Sequence, residues 1–142
     1  VFKTQFFDVD QMFVDSCIEW KDRLRGRNIS LDQAFELKQK CNDNNIIFMA
    51  TAHDESRISW LKELDVPAVK IGSGERNNIR FIKSLAELGK PVILSTGMYR
   101  EKDIVEIIEI LEAAGCQELA LLQCTTSYPT PSEQVNLAAM EP

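Results

Sequence analysis

Gly89-Lys90-Pro91-Val92-Ile93-Leu94-Ser95-Thr96-Gly97-Met98 is the stretch whose reading decides the fold. Gly89 stands where a left-handed residue would end the helical pattern of Asn78 to Leu88, and Pro91 cannot extend a helix because it lacks the N–H. Val92 to Ser95 then forms a short strand of mostly apolar, β-branched character that runs out into Ser95-Thr96-Gly97. A helix stop, an apolar strand and a polar strand end in immediate succession describe one αβ step of a parallel sheet.

The same step recurs on both sides. Downstream, Lys102 to Ala114 carries Ile104, Ile107, Ile108 and Leu111 on a helical stripe, stops at Gly115, and leads into a buried run from Leu119 to Gln123. Upstream, Pro67 to Ile71 is a strand, preceded by a helix opened by His53-Asp54 and carrying Ile58, Leu61 and Leu64; Ile46 to Ala50 is the strand before it. Ser30 and Gln33 have the spacing of a capping box, with Ala34, Leu37 and Cys41 on one helical face and Asn42-Asp43-Asn44-Asn45 as the stop. Between the first strand, Val1 to Gln5, and this helix, residues 8 to 29 give the weakest pattern, with Ile18 and Trp20 in a helix or a packed loop.

Strand starts recur about every 20 to 30 residues, which matches roughly 250 residues spread over the eight units of a complete barrel. Strands apolar throughout imply that both sheet faces are covered, as in a barrel or an open doubly wound sheet, and periodicity does not choose between them. The position of the polar residues does: every strand ends in small hydroxyls, glycine or an amine, where barrel enzymes build their sites. The expected fold is α/β, a partial (β/α)8 TIM barrel of about five parallel strands with intervening helices.

With 142 residues, 44% hydrophobic and 27% charged, the composition is that of a globular protein able to bury one core. The opening at Val1 in a strand and the close at Pro142 on a new helical pattern read as an excerpt of a longer chain. Cys17, Cys41, Cys116 and Cys124 form no CxxC pair and follow no signal-like stretch, which indicates a reducing, cytoplasmic setting. No segment reaches the roughly 20 apolar residues of a membrane span. A net charge of −6 argues against general nucleic-acid binding while leaving room for a local cationic pocket.

The strand ends offer Lys3 and Gln5, then Thr51, then Lys70 with Gly72-Ser73-Gly74-Glu75, then Ser95-Thr96-Gly97, then Gln123 with Thr125-Thr126. Lysines supply charge, hydroxyls supply directed donors and glycines let backbone N–H groups approach, the combination a small phosphorylated carboxylate requires. Neither GxxxxGK[ST] nor GxGxxG is present, so neither nucleotide class is supported. His53, the one histidine, reads as a catalytic group or as a helix-entry residue, and a single histidine makes no metal cage. Cys124 reads as a nucleophile or as packing. Glu75 reads as an acid or base facing the pocket, or as the partner of Arg76 or Arg80.

Val69-Lys70-Ile71-Gly72-Ser73-Gly74-Glu75, the stretch from Gly89 to Met98, and Tyr128-Pro129-Thr130-Pro131 followed by Val135-Asn136-Leu137 together resemble the N-acetylneuraminate (sialic acid) synthase family. That family includes synthases of legionaminic and pseudaminic acids and spore coat polysaccharide relatives. The resemblance implies a (β/α)8 barrel joined to a C-terminal antifreeze-like domain that these 142 residues lack. It implies condensation of phosphoenolpyruvate with an N-acetylated amino sugar such as N-acetylmannosamine, releasing phosphate. Carried over, Lys3, Thr51, Lys70, Ser73 and Ser95 match phosphoenolpyruvate contacts. Thr126 is taken with them as a hydroxyl at the fifth strand end, and Lys70 and Glu75 are the catalytic candidates. A divalent metal, Mn2+ or Mg2+, would polarise the sugar aldehyde from ligands downstream of this chain, leaving no metal ligand within it, and the full-length protein would be a homodimer. Two departures bear on the sugar side: Gln123 and Thr126 where the family often has histidine and then asparagine or serine, and Ala52-His53 in place of Pro-Phe before Asp54. The alternatives are a non-catalytic relative that keeps the rim as a binding or assembly surface, and an aldolase that forms a Schiff base on Lys70.

Overall fold

A computed structural model describes residues 1–141. The chain forms two compact units, Val1–Lys70 and the residues from Ile71 onward.

In the first unit β1 (Phe2–Phe6) and β2 (Phe48–Ala52) run parallel, with Phe2 opposite Phe48, Gln5 opposite Thr51 and Phe6 opposite Ala52. Three helices connect them: α1 (Val9–Met12), α2 (Ile18–Arg25) and α3 (Leu31–Asp43). The start of α3 is the expected capping box, since Ser30 Oγ accepts from the Gln33 N–H at 3.2 Å and the Ser30 N–H donates to Gln33 Oε1 at 2.8 Å. Ala34 and Cys41 on its inner face are buried. The chain leaves α3 through Asn45 at φ 55°, and Ile46 and Ile47 stay exposed, so β2 begins at Phe48 and not at Ile46. After β2, the Asp54 carboxylate caps a 3-10 turn (Glu55–Arg57) that runs into α4 (Ile58–Glu63), so the helix expected at His53-Asp54 starts later and tighter. Ile18 and Trp20 lie on α2 but face solvent. The residue α2 buries is Lys21, whose stem is covered while its ammonium pairs with Asp15 at 2.9 Å and Asp10 at 3.3 Å.

β3 (Val69–Ile71) leads into the second unit, whose sheet has the order β3-β4-β5. β4 (Val92–Ser95) and β5 (Leu119–Leu122) are parallel, with Val92 opposite Leu119 and Ser95 opposite Leu122. α5 (Ile79–Ala86) buries Phe81, Ile82, Leu85 and Ala86, and α6 (Glu101–Ala113) buries Ile107 and Leu111. Gly89 (φ 65°) and Gly115 (φ 93°) end the two helical stretches in the left-handed conformation that a side chain resists.

Five strands and alternating helices agree with the α/β expectation. Burial on both faces does not hold throughout. All five residues of β2 are buried, whereas Leu121 and Leu122 of β5 are 39% and 40% exposed and Phe2 of β1 is 40% exposed. An apolar run shows that a strand suits burial, but neighbours must supply it. β5 is the outermost strand of its sheet among the described residues. No helix among the described residues is long and apolar enough to cross a membrane.

Candidate anion site at the strand carboxyl ends

Side chains alternate across a strand, and the packing of Phe6 fixes which face is which. Its ring meets Trp60 of α4 edge-on at 5.4 Å, so Phe2, Thr4 and Phe6, with Phe48, Ala50 and Ala52 beside them, face the helix. Lys3 and Gln5, with Met49 and Thr51, face the other way. The His53 N–H donates to Phe6 O at 2.9 Å and carries this alternation one residue beyond β2, onto the Lys3 and Thr51 face. Lys70 stands between Val69 and Ile71, both fully buried, while its own side chain is half-buried and points from the opposite face of β3.

Thr51 is 4% exposed and its Oγ1 has no hydrogen-bond partner, and His53 Nε2 is likewise enclosed and unpartnered. Burial holds the His53 imidazole below its usual titration range, and the positive charges of Lys3 and Lys70 push it further, against a weaker opposing pull from Asp54. Lys3, Thr51, His53 and Lys70 therefore share one electrostatic neighbourhood within the first unit. Asp54 is engaged elsewhere: its carboxylate accepts from the Asp8 N–H at 2.6 Å, the Arg57 N–H at 3.2 Å and the Ser56 hydroxyl.

In the second unit Ser73 opens a 3-10 turn (Ser73–Asn77) directly after β3, and the Glu75 N–H closes it onto Gly72 O at 3.2 Å. The Glu75 carboxylate accepts from Asn78 Nδ2 at 3.2 Å, and burial raises its proton affinity. Arg76 turns to Asp103 at 3.3 Å and to Met98 O at 3.0 Å, so of the alternatives for Glu75 the pairing with Arg76 is not the one formed. Ser95 ends β4.

Not every rim hydroxyl is available to a ligand. The Thr96 N–H and Oγ1 each donate to Leu122 O at 3.0 Å, extending the β4-β5 ladder. Gln123 Nε2 donates to Val135 O at 3.3 Å and Thr125 Oγ1 to Gln134 O at 3.0 Å, so both hold the segment that follows β5. Thr126 is exposed, and its Oγ1 lies 2.9 Å from where a Cβ on Gly97 would stand, with Cys124 O at 3.2 Å. Gly97 is thus glycine for close approach.

Cys124 is half-buried and unbonded and lines a cavity of about 470 Å³ with Thr96, Tyr99 and Gln123. Sequence reasoning passed over Tyr99, whose hydroxyl is enclosed without a partner and whose pKa burial pushes up to about 12. Among the described residues no three His, Cys, Asp or Glu side chains converge as a metal site.

The fold defines a parallel α/β protein. Lys3, expected at a strand end, is the second residue of β1 and Lys70 the middle residue of β3, whereas Thr51 and Ser95 stand at or beside the carboxyl ends of β2 and β4. The sequence pattern of the NeuB family matches residues 4–142, and the chain belongs to that family. It is 42% identical over 105 residues to the N,N'-diacetyllegionaminic acid synthase of Campylobacter jejuni, covering 72% of this chain and 30% of that protein. It is 37% identical over 108 residues to the N-acetylneuraminate-9-phosphate synthase of Drosophila melanogaster, covering 76% and 29%. Its structure is similar to the N-acetylneuraminic acid (sialic acid) synthetase of Leptospira borgpetersenii, solved with citrate, at a TM-score of 0.90 and 28% identity, covering 96% of this chain and 47% of that one. The chain therefore spans between about a third and a half of the relatives it matches.

Proposed function

We propose that this chain supplies the phosphoenolpyruvate half of a synthase that joins phosphoenolpyruvate to an N-acetylated amino sugar, yielding a nonulosonic acid and phosphate. The observation that carries the reading is Thr51: a buried, unpartnered hydroxyl on the face shared by Lys3 and His53, with Lys70 close enough to act on the same imidazole. An orphaned buried hydroxyl is destabilising unless something completes it, and an anionic oxygen does. The names of the three relatives given above, a legionaminic acid synthase, an N-acetylneuraminate-9-phosphate synthase and a sialic acid synthetase, support the product class.

The proposed architecture is part of a (β/α)8 barrel, in which the Lys3 face of β1 and β2 looks inward. Lys3 and Lys70 offset the charge of phosphate and carboxylate, and Thr51 orients the anion by a directed hydrogen bond. Ser73 and Ser95 are further contacts proposed on the family resemblance alone, and Thr126 is proposed with them as a hydroxyl just after β5. With the anion fixed, C3 of the enolpyruvate attacks the sugar aldehyde, water adds at C2, and the C–O bond breaks so that phosphate departs with the bridging oxygen. Glu75, whose proton affinity burial raises, is the proposed acid or base. The metal that the family resemblance implies finds no ligand set among the described residues, and no step is assigned to it. Homodimerisation of the full-length protein and a reducing cytoplasmic setting belong to the same proposal, the latter supported by four unbonded cysteines.

Titration of phosphoenolpyruvate into the full-length protein tests the site. Lys70→Ala is expected to weaken binding about tenfold to a hundredfold, the loss of a charge-assisted contact worth about 1.5–3 kcal/mol against about 1 kcal/mol or less for a surface pair. Unchanged affinity removes Lys70 from the site. A non-catalytic relative is the second reading, favoured by the engagement of Gln123 with the backbone of Val135; binding of phosphoenolpyruvate without turnover would select it.

A further inference from the structure

His53 Nε2 is enclosed, has no partner, and lies on the same face as the orphaned Thr51 hydroxyl, two residues along the strand. One orphaned polar atom beside a lysine could be a packing accident. Two on one face, with Lys3 and Lys70 acting on the imidazole, are the donors and charges that an anion's oxygens would satisfy. We propose that His53 is a further substrate-contacting residue of this site, donating from Nε2 to the phosphate of the bound anion beside Thr51, and that binding draws a proton onto it. The inference rests on the anion-site reading above and deepens it, because it assigns a contact and a proton linkage that the lysines alone do not provide.

The charges around His53 give the direction. Lys3 on β1 and Lys70 on β3 disfavour the imidazolium, and the adjacent Asp54 favours it. Behind Asp54 stand Asp8 and Arg57, paired with each other at 3.7 Å. In the free protein burial and the two lysines favour the neutral imidazole. A phosphate dianion placed among these groups reverses the sign of the local potential and raises the histidine's proton affinity. By linkage, an anion that raises the affinity of His53 for a proton binds more tightly when the proton is present. Affinity therefore rises as pH falls through the window between the bound-state and free-state titration points, by up to tenfold per pH unit for one proton, and levels off below the free-state value, where His53 is protonated either way.

The test is a pH titration of the His53 ring protons by NMR in the full-length protein, the resonance assigned by its loss in His53→Gln. It is run free, with inorganic phosphate, and with phosphoenolpyruvate. The expected result is a titration below the ordinary value in the free protein and a shift to higher pH with either ligand, together with weaker binding by His53→Gln and a shallower pH dependence that leaves only the ligand's own phosphate ionisation. If phosphoenolpyruvate binds and leaves the His53 titration where it was, the His53 contact is overturned and the site reading stands. If phosphate shifts the titration and no synthase activity accompanies it, the receptor stands and the reaction falls. If neither ligand binds, both fall.

Discussion

Replacing Gly97 by alanine perturbs the junction between the ends of β4 and β5 at a single atom. The new Cβ would stand 2.9 Å from Thr126 Oγ1, 3.2 Å from Cys124 O and 3.3 Å from Cys124 Cβ, where ordinary contact needs at least 3.4 Å. The shortest of these is the cheapest to relieve, because Thr126 is exposed and its hydroxyl can rotate away. The carbonyl cannot rotate: it belongs to the backbone just after β5 and must retreat by a few tenths of an ångström. Overpacking of this kind costs about 1–3 kcal/mol, and with one of the contacts flexible the lower half of that range is expected. Denaturant unfolding of the full-length protein measures it, with Gly72→Ala as the control, since a Cβ there meets nothing within 4 Å. Thr126→Ala in the Gly97→Ala background should recover only part of the loss, because the carbonyl contact remains. The same shift moves Ser95 and Thr126 and should weaken phosphoenolpyruvate binding. A Gly97→Ala protein as stable as the parent, or a Gly72→Ala protein equally damaged, would refute the close-approach argument.

Tyr99→Phe removes an enclosed, unpartnered hydroxyl and should stabilise the protein by about 1 kcal/mol. It should also abolish a loss of stability expected of the parent as pH rises from 10 to about 12, because a phenol whose pKa is raised in the folded protein stays neutral there while the unfolded form gains by ionising; unfolding measured across that range reads both effects. Glu75 carries a raised carboxyl, so its burden grows as pH rises past its ordinary 4.5. Glu75→Gln should match the parent in stability at pH 4, exceed it at pH 7, and lose synthase activity, which melting curves and phosphate release check separately. Ser30→Ala opens the capping box of α3 and should cost about 1 kcal/mol by denaturant unfolding with no change in phosphoenolpyruvate affinity.

Features that rest on a few consecutive residues were readable in advance. Ser30 with Gln33 specifies a cap whichever core the helix packs on, and Gly89 is glycine because the chain turns left-handed there. The strand ends were readable as polar, but which of their hydroxyls remain for a ligand was not. Thr96 gives its hydroxyl to Leu122 O, 26 residues away, and Gln123 reaches Val135, partners that no local pattern announces. The burial of β5 was misread for the same reason: Leu121 and Leu122 suit a core, but their exposure depends on what lies beside the strand. Glu75 and Arg76 are adjacent in sequence, yet Arg76 turns to Asp103 because α6 begins within its reach. His53 shows the limit most clearly, since an isolated histidine after a strand has two readings until its Nε2 is found enclosed with Lys3 and Lys70 acting on it.

Phosphate release from phosphoenolpyruvate by the full-length protein, with manganese and a panel of N-acetylated amino sugars against a no-sugar control, tests the central claim most directly. The account predicts release that depends on one of the sugars, with a label placed in the bridging oxygen of phosphoenolpyruvate recovered in the phosphate. Release that proceeds equally without sugar, or none with any sugar from a folded protein that binds phosphoenolpyruvate, would contradict it.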